Sequence, residues 1–251
     1  MSFWFWHGLW NGIRSTRYPG IVESDPGVTP GRPVATEFAS PEQASLAAAD
    51  CPVNAIVAQG SSAQVDLRTC VHCQRCRFGG AYPLEWKQDY EWTMVAASRE
   101  KYVPLPAAYR RSLHIMVVDA GDCGACLHEV KHLNNPFYNA HRLGIFFTAT
   151  PRFADLLLVV GPVSENMRVP LLKTYEAMPT PKRVVAVGAC AITGGVFGSG
   201  FMSAGGVSSV LPVDLEIPGD PPPPLAILHG LLTVTGRKAL APRQPDFGRT
   251  A

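Results

Sequence analysis

The sequence lacks any run approaching the roughly 20 apolar residues needed to cross a bilayer, so a membrane-spanning helix is not expected. Its N-terminus has neither the basic stretch nor the small-residue cleavage site of a secretory signal. Charged residues are scarce, at 17%, which indicates a surface partly covered by partners. With 22 basic and 20 acidic residues and no basic run, nothing indicates nucleic-acid binding. These absences predict a cytoplasmic protein that works within an assembly.

Composition divides the chain into four parts. Residues 1–40 hold an aromatic segment and a connector rich in proline, glycine and threonine, and residues 41–82 hold a cysteine-rich module. Residues 83–111 have the composition of a linker. Residues 112–240 alternate apolar runs with helical patterns over 127–133, 165–178 and 225–235, which predicts an α/β domain with a parallel sheet. The four predicted strands are Leu113–Asp119, Asp155–Gly161, Arg183–Gly188 and Leu211–Pro218.

The first 19 residues carry an apolar stripe. Phe3, Trp6, Trp10 and Ile13 follow helical spacing, and arginines come after them. We expect this segment to dock on a partner, such as a membrane subunit of a complex. A helix lying in the membrane surface, where tryptophan is favoured, and a plain core helix are the alternatives.

Cysteines are concentrated in two regions. In a chain without an export signal, the seven cysteines are expected to be reduced thiols, and clustered cytosolic thiols usually bind metal. The first region contains Cys51-Pro52 and then Cys70-x2-Cys73-x2-Cys76. Zinc sites usually pair two C-x2–4-C units instead, so an iron–sulfur cluster is favoured over structural zinc or core cysteines.

The first region resembles a two-cluster bacterial ferredoxin that has kept one cluster. Such ferredoxins carry C-x2-C-x2-C-x3-C-P twice, and the fourth cysteine of each run binds the other cluster. Counting back from Cys51, Pro41, Ala44 and Ala47 replace the first three cysteines of run one, and Gly80 replaces the fourth of run two. One ligand set is therefore absent and the other is complete. The complete set predicts a small α+β ferredoxin-like module whose [4Fe–4S] cluster is held by Cys51, Cys70, Cys73 and Cys76.

The second region follows the ends of two predicted strands. Cys123-Gly-Ala-Cys126 comes just after the strand ending at Asp119, and Cys190 just after the strand ending at Gly188. In an open parallel sheet, ligands bind beyond the carboxyl ends of the strands. The three thiols are therefore predicted to converge at one edge of the sheet.

Five motifs occur in order along this domain. They are D-A-G-D-C-G-A-C (119–126), T-P-R-F-A-D-L-L-L-V-V-G-P (150–162), Y-E-A-M-P-T-P-K (175–182), G-A-C-A-I-T-G-G (188–195) and P-V-D-L-E-I-P-G (212–219). Together they resemble the small, cluster-bearing subunit shared by membrane-bound [NiFe] hydrogenases and complex I, its 20 kDa subunit. The C-x2-C spacing resembles the hydrogenase side, including formate hydrogenlyase, because complex I members have adjacent cysteines there. This resemblance implies a flavodoxin-like fold and a second cluster.

The N-terminal half resembles a different subunit of the same complexes. Its G-I-R-S-T-R-Y-P segment (12–19) and its cysteine module are similar to their ferredoxin-like subunit. The chain is therefore expected to be a fusion of two subunits that are usually separate.

The fourth ligand of the second set differs from the family pattern. The resemblance implies a cysteine within P-G-C-P-P, whereas this chain has Asp220 in P-G-D-P-P (218–222). A carboxylate is a harder ligand than a thiolate and prefers harder metals. Three outcomes stay open: a [4Fe–4S] cluster with Asp220 as a ligand, a [3Fe–4S] cluster on the three cysteines, or no second cluster.

Glu129 has three interpretations. The first is a carboxylate at a helix N-terminus, where the helix dipole favours negative charge. It stands where the family has a glutamate beside the cluster, which implies a role in proton handling. It also lies within His128-Glu129-x2-His132, which matches the zinc-protease pattern H-E-x-x-H. That pattern is short, lacks a third ligand at metzincin spacing and begins two residues after Cys126, although Glu165 or Glu176 would be available. A zinc hydrolase is therefore the less favoured interpretation.

These patterns predict an iron–sulfur electron-transfer subunit. It would relay electrons to or from the catalytic large subunit of a membrane-associated [NiFe] hydrogenase of the formate hydrogenlyase type. A subunit of a complex I-like quinone or ferredoxin oxidoreductase, or a scaffold with only the N-terminal cluster, are the alternatives. No residue resembles a substrate-binding catalyst, so the chain is not expected to be an enzyme alone. We expect it to be cytoplasmic and peripherally associated with the membrane, with a hydrogenase-like or complex I-like large subunit as partner.

Overall fold

A computed structural model of the chain describes residues 3–25, 27–242, 244 and 247. Residues 1, 2 and 26, which belong to the predicted N-terminal segment and connector, lie outside this description. The described helices are α1 (Trp4–Asn11), α2 (Pro41–Ala49), α3 (Arg75–Phe78), α4 (Ala125–His132), α5 (Glu165–Ala177), α6 (Ala189–Thr193) and α7 (Pro224–Val234). The described strands are β1 (Arg32–Pro33), β2 (Thr36–Glu37), β3 (Ile56–Gln59), β4 (Ser62–Val65), β5 (Trp86–Lys87), β6 (Met94–Val95), β7 (Leu113–Asp119), β8 (Ile145–Phe147), β9 (Leu156–Val160), β10 (Arg183–Val187) and β11 (Leu215–Ile217).

The larger sheet has the strand order β6-β11-β10-β9-β7-β8 within the described residues. Strands β8, β7, β9, β10 and β11 pair in parallel, and the edge strand β6 pairs antiparallel with β11. Numbered along the chain, the parallel strands lie in the order 2-1-3-4-5, which is the flavodoxin-like order. The predicted flavodoxin-like α/β fold is confirmed.

Apolar runs decide which strands occupy the centre of this sheet. Every residue of β9 is buried, as are four of the five in β10, because helices cover both faces of the sheet. Helix α7 is buried along its whole length and packs against β11. The four predicted strands correspond to β7, β9, β10 and β11, and the three predicted helices to α4, α5 and α7. Strand β8 has only three residues and was not predicted.

The N-terminal cysteine region forms a smaller antiparallel sheet. Its order is β2-β4-β3, and the β3–β4 hairpin turns at residues 60–61. Helix α2 packs against this hairpin and is capped at its N-terminus by Ser40, whose hydroxyl accepts a hydrogen bond from the Gln43 amide at 3.4 Å. The structure therefore has an α+β unit in this part of the chain, and its sheet begins at β2, before residue 41. The boundaries 41–82 and the identity as a ferredoxin-like domain stay predictions.

Residues 83–111 pack tightly between these two regions instead of forming a solvated connector. Strand β6 belongs to the larger sheet, and Tyr90, Trp92 and Met94 are almost completely buried. One hydrophobic core contains these side chains together with Ile56 of the hairpin and Leu215 of β11. The two cysteine-bearing regions are therefore held in fixed contact.

Helix α1 stands apart from this core. All its side chains are exposed, including Trp6 and Trp10, so it is not a core helix of this chain. Among the described residues, no helix combines the length and the hydropathy that a membrane span requires.

Candidate iron–sulfur sites

The four cysteines of the N-terminal module line one small cavity. Cys51 follows α2, Cys70 and Cys73 lie in the loop after β4, and Cys76 lies in α3. Apolar side chains close the same cavity: Pro33, Val53, Ala55, Ile56 and Val65. The fold therefore brings all four predicted thiols of this set together in a largely apolar surrounding.

The surroundings of this first set affect its protonation. Burial raises the pKa of Cys70 to about 12, and the neighbouring thiols contribute further to the rise. Burial also raises the pKa of Cys76, and a hydrogen bond with the Trp86 indole opposes this rise. The Ala55 amide donates a hydrogen bond to the Cys51 sulfur at 3.2 Å. Metal binding displaces thiol protons, and four thiolates are the donor set of a [4Fe–4S] cluster.

The second set lies at the carboxyl ends of the parallel strands. Cys123 and Cys126 follow β7, Cys190 lies in α6 just after β10, and Asp220 follows β11. Burial raises the pKa of Cys190 to about 11, and the charge of Asp220 is the next largest cause. The pKa of Cys126 is also raised, first by burial and then by the charges of Asp122 and Asp220. The three thiols and Asp220 thus lie close enough to affect one another.

Two glycines let the backbone approach these sulfurs closely. A Cβ at Gly188 would lie 2.6 Å from the Cys126 sulfur, and a Cβ at Gly195 would lie 2.6 Å from the Cys190 sulfur. Both residues also have positive φ angles, 91° and 58°, which favour glycine. The glycines of the G-A-C-A-I-T-G-G motif therefore leave room for the sulfurs.

Asp122 is a neighbour of the second set that the sequence did not reveal. Its carboxylate accepts hydrogen bonds from the amides of Gly124 and Leu127, both at 3.0 Å, which stabilises the start of α4. Its charge also raises the pKa of Asp220, after the larger effect of burial. An acidic residue just before Cys123 and the helix start was the only available signal. Asp122 therefore orients the loop that carries Cys123 and Cys126.

Glu129 lines a cavity of about 660 Å³ together with His72, His132, Tyr138 and Asp220. This cavity therefore borders the loops of both cysteine sets. The imidazole centroids of His128 and His132 are 5.8 Å apart on α4. Over the described residues, no three His, Cys, Asp or Glu side chains are arranged around one point as a single metal ion requires. A [4Fe–4S] cluster makes a different demand, because each of its irons takes its own protein ligand.

Comparison with known proteins identifies the α/β part. Residues 123–234 match the family described as NADH ubiquinone oxidoreductase, 20 Kd subunit. The probable membrane-bound hydrogenase subunit mbhJ of Pyrococcus furiosus is 39% identical over 122 residues, which span 49% of this chain and 73% of that protein. The chain belongs to this family.

Other relatives include both an NADH-quinone oxidoreductase subunit and a formate hydrogenlyase subunit. An NADH-quinone oxidoreductase subunit of Citrifermentans bemidjiense is 43% identical over 124 residues, 49% of this chain and 71% of that protein. Formate hydrogenlyase subunit 7 of Escherichia coli is 39% identical over 127 residues, and the chain spans half of its length. The predicted family resemblance is confirmed, and the relatives are named as subunits of larger complexes.

The matched region contains the second cysteine set and Asp220, whereas the first set lies before it. Members of the 20 kDa family bind an iron–sulfur cluster, and the second donor set of three thiols and a carboxylate fits such a group. The fusion with a ferredoxin-like subunit stays a prediction, since the family match covers residues 123–234.

Proposed function

We propose that this protein is an electron-transfer subunit with two iron–sulfur sites. Electrons would pass between a first cluster on Cys51, Cys70, Cys73 and Cys76 and a second cluster on Cys123, Cys126, Cys190 and Asp220. The second site would exchange electrons with the large subunit of a membrane-associated hydrogenase complex. The observation that carries this proposal is the gathering of two separate cysteine sets in one folded unit that belongs to the 20 kDa family.

The residues of the chain hold the clusters and limit their contact with water. A bound cluster supplies reversible one-electron transfer. Apolar side chains line the first set and Cys126 of the second set is buried, whereas Cys73 and Cys123 are exposed. Hydrogen bonds such as that from the Ala55 amide to the Cys51 sulfur tune the potential.

Asp220 is our candidate for the fourth ligand of the second cluster, which we propose to be [4Fe–4S]. The C-x2-C spacing of Cys123 and Cys126 favours the hydrogenase type of complex over the quinone-reducing type. Glu129, which shares a cavity with Asp220, is our candidate for proton handling. Helix α1 is proposed to dock on a membrane subunit, because its tryptophans are exposed and the helix has no buried residue.

Iron and sulfide analysis with electron paramagnetic resonance (EPR) tests the proposal. The intact, anaerobically prepared protein should contain about eight irons per chain for two cubanes, or about seven if the second cluster is [3Fe–4S]. About four irons would support a scaffold with only the first cluster. Zinc in place of iron would overturn the proposal.

A further inference from the structure

The buried Trp92 side chain contacts the loops of both cysteine sets. Its indole N–H donates a hydrogen bond to the Pro218 carbonyl oxygen at 2.8 Å, two residues before Asp220. Its ring stacks on the imidazole of His72, with centroids 5.8 Å apart and planes at 27°. His72 lies between Cys70 and Cys73. One side chain therefore connects the first cysteine loop to the loop that carries Asp220.

The surrounding structure fixes both ends of this connection. Met94, two residues after Trp92, pairs with Glu216 of β11, so the sheet sets the position of the indole relative to Pro218. His72 has a left-handed backbone, with φ at 48°, and Trp86 packs edge-on against its ring at 6.4 Å. Both imidazole nitrogens are buried, and within the described residues neither makes a hydrogen bond. The stacked contact with Trp92 and the edge-on contact with Trp86 therefore help to orient His72.

We infer that Trp92 is a positioning residue that couples the two iron–sulfur sites. The stacked and hydrogen-bonded contacts from His72 through Trp92 to Pro218 hold the two loops at a fixed separation. They also place an aromatic group between the loops. With both clusters bound, one electron would leave one cluster and the other cluster would gain it, so that one would be oxidised as the other is reduced. This inference rests on the proposed function, because it requires that both sites hold a cluster.

Tyr90 offers a control for Trp92. It is a buried aromatic residue of the same segment, and its hydroxyl accepts a hydrogen bond from the Glu23 amide at 2.8 Å, away from the Pro218 carbonyl. The test compares the intact wild-type protein with Trp92→Phe and Tyr90→Phe. Three quantities are measured for each protein. They are the iron content, the EPR signal of each cluster, and the rate at which an electron from a rapid photoreductant equilibrates between the clusters.

We expect Trp92→Phe to keep both clusters while electron equilibration slows by about tenfold, which corresponds to about 1.4 kcal/mol on the barrier. Tyr90→Phe should match the wild-type rate. If the wild type holds only one cluster, the proposed function fails. If it holds two clusters and Trp92→Phe equilibrates at the wild-type rate, or Tyr90→Phe slows equilibration equally, the role of Trp92 is wrong.

A second substitution separates coupling from a loss of folding. Benzothienylalanine introduced at position 92 keeps the size and shape of the indole and removes only the N–H that reaches Pro218. If Trp92→Phe loses iron, the benzothienylalanine variant is used to test whether Trp92 couples the two sites. Slower equilibration at unchanged iron content supports the role of Trp92, and an unchanged rate overturns it.

Discussion

Arg68 and Glu216 form an ion pair with 2.6 Å between Arg68 Nε and Glu216 Oε2. Arg68 comes two residues before Cys70, and Glu216 lies in β11, four residues before Asp220. The two side chains are only 15% and 5% exposed. The Ala97 amide also donates a hydrogen bond to Glu216 Oε1 at 3.2 Å. This pair joins the first cysteine region to the sheet that carries the second.

Removing one member of this pair should destabilise the protein strongly. Arg68→Met leaves the Glu216 carboxylate buried without its cation, which costs about 3–5 kcal/mol in the free energy of unfolding. Urea unfolding followed by circular dichroism measures the change. The double variant Arg68→Met with Glu216→Leu should recover most of the loss, because no charge stays unpaired. Equal losses in the single and double variants would contradict this explanation.

Replacing Asp220 by cysteine should strengthen the second site. Asp220→Cys supplies a thiolate, the softer ligand that iron in a cluster prefers. The second cluster should then survive air exposure longer, and its EPR signal and potential should change while those of the first cluster do not. Asp220→Ala serves as the opposite variant, with fewer irons per chain. Identical spectra for the wild type and both variants would show that Asp220 is not a ligand.

Single cysteine substitutions should remove the two clusters independently. Cys73→Ala should lower the iron content by about four per chain and leave the second signal, and Cys190→Ala should do the reverse. Iron analysis and EPR on the same samples distinguish the two losses. The assignment of the ligand sets would fail if either substitution left the iron content unchanged.

Helix α1 should determine binding to the membrane part of the complex. Trp6 and Trp10 are 69% and 90% exposed, and burying a large apolar side chain contributes roughly 1.5–3 kcal/mol. Trp6→Ser with Trp10→Ser should therefore weaken co-sedimentation with membranes that contain the complex, and leave the iron content unchanged. Phe153→Ser, at a residue 71% exposed elsewhere, is the control and should bind normally. If the wild type bound equally strongly to protein-free lipid vesicles, the lipid surface and not a membrane subunit would be the favoured binding partner of α1.

The stability of the fold should fall in mild acid partly because of His229. The imidazole is buried in α7, with Nδ1 2.9 Å from the Thr93 hydroxyl and Nε2 3.0 Å from the Ala239 carbonyl oxygen. Burial lowers its pKa, so the unfolded chain binds a proton at a higher pH than the folded chain does. Stability is therefore present above the unfolded pKa of about 6.5 and is lost as the pH falls below it. His229→Gln cannot titrate, so its unfolding free energy should fall less between about pH 8 and pH 5 than that of the wild type. Parallel pH profiles would contradict this role.

The sequence predicts the parts of the fold that depend on local patterns. The apolar run of β9 and the cysteines that follow β7 and β10 are visible along the chain, and the rule for parallel sheets brings those cysteines together. Strand β6 has two residues and exists through its pairing with β11, which is distant in sequence. Asp122 and Trp92 were missed for the same reason. Their roles depend on which amides and which carbonyl the folded chain places beside them.

The shared hydrophobic core has a consequence for how such a protein is made. Because Tyr90, Trp92 and Met94 pack with both cysteine-bearing regions, cutting the chain between those regions would leave two fragments with bare apolar faces. As a single polypeptide, the chain delivers the two cysteine sets in a ratio of one to one, whatever its level of synthesis. Neither set can be replaced by exchange with a free subunit, so damage to one set requires replacement of the whole chain.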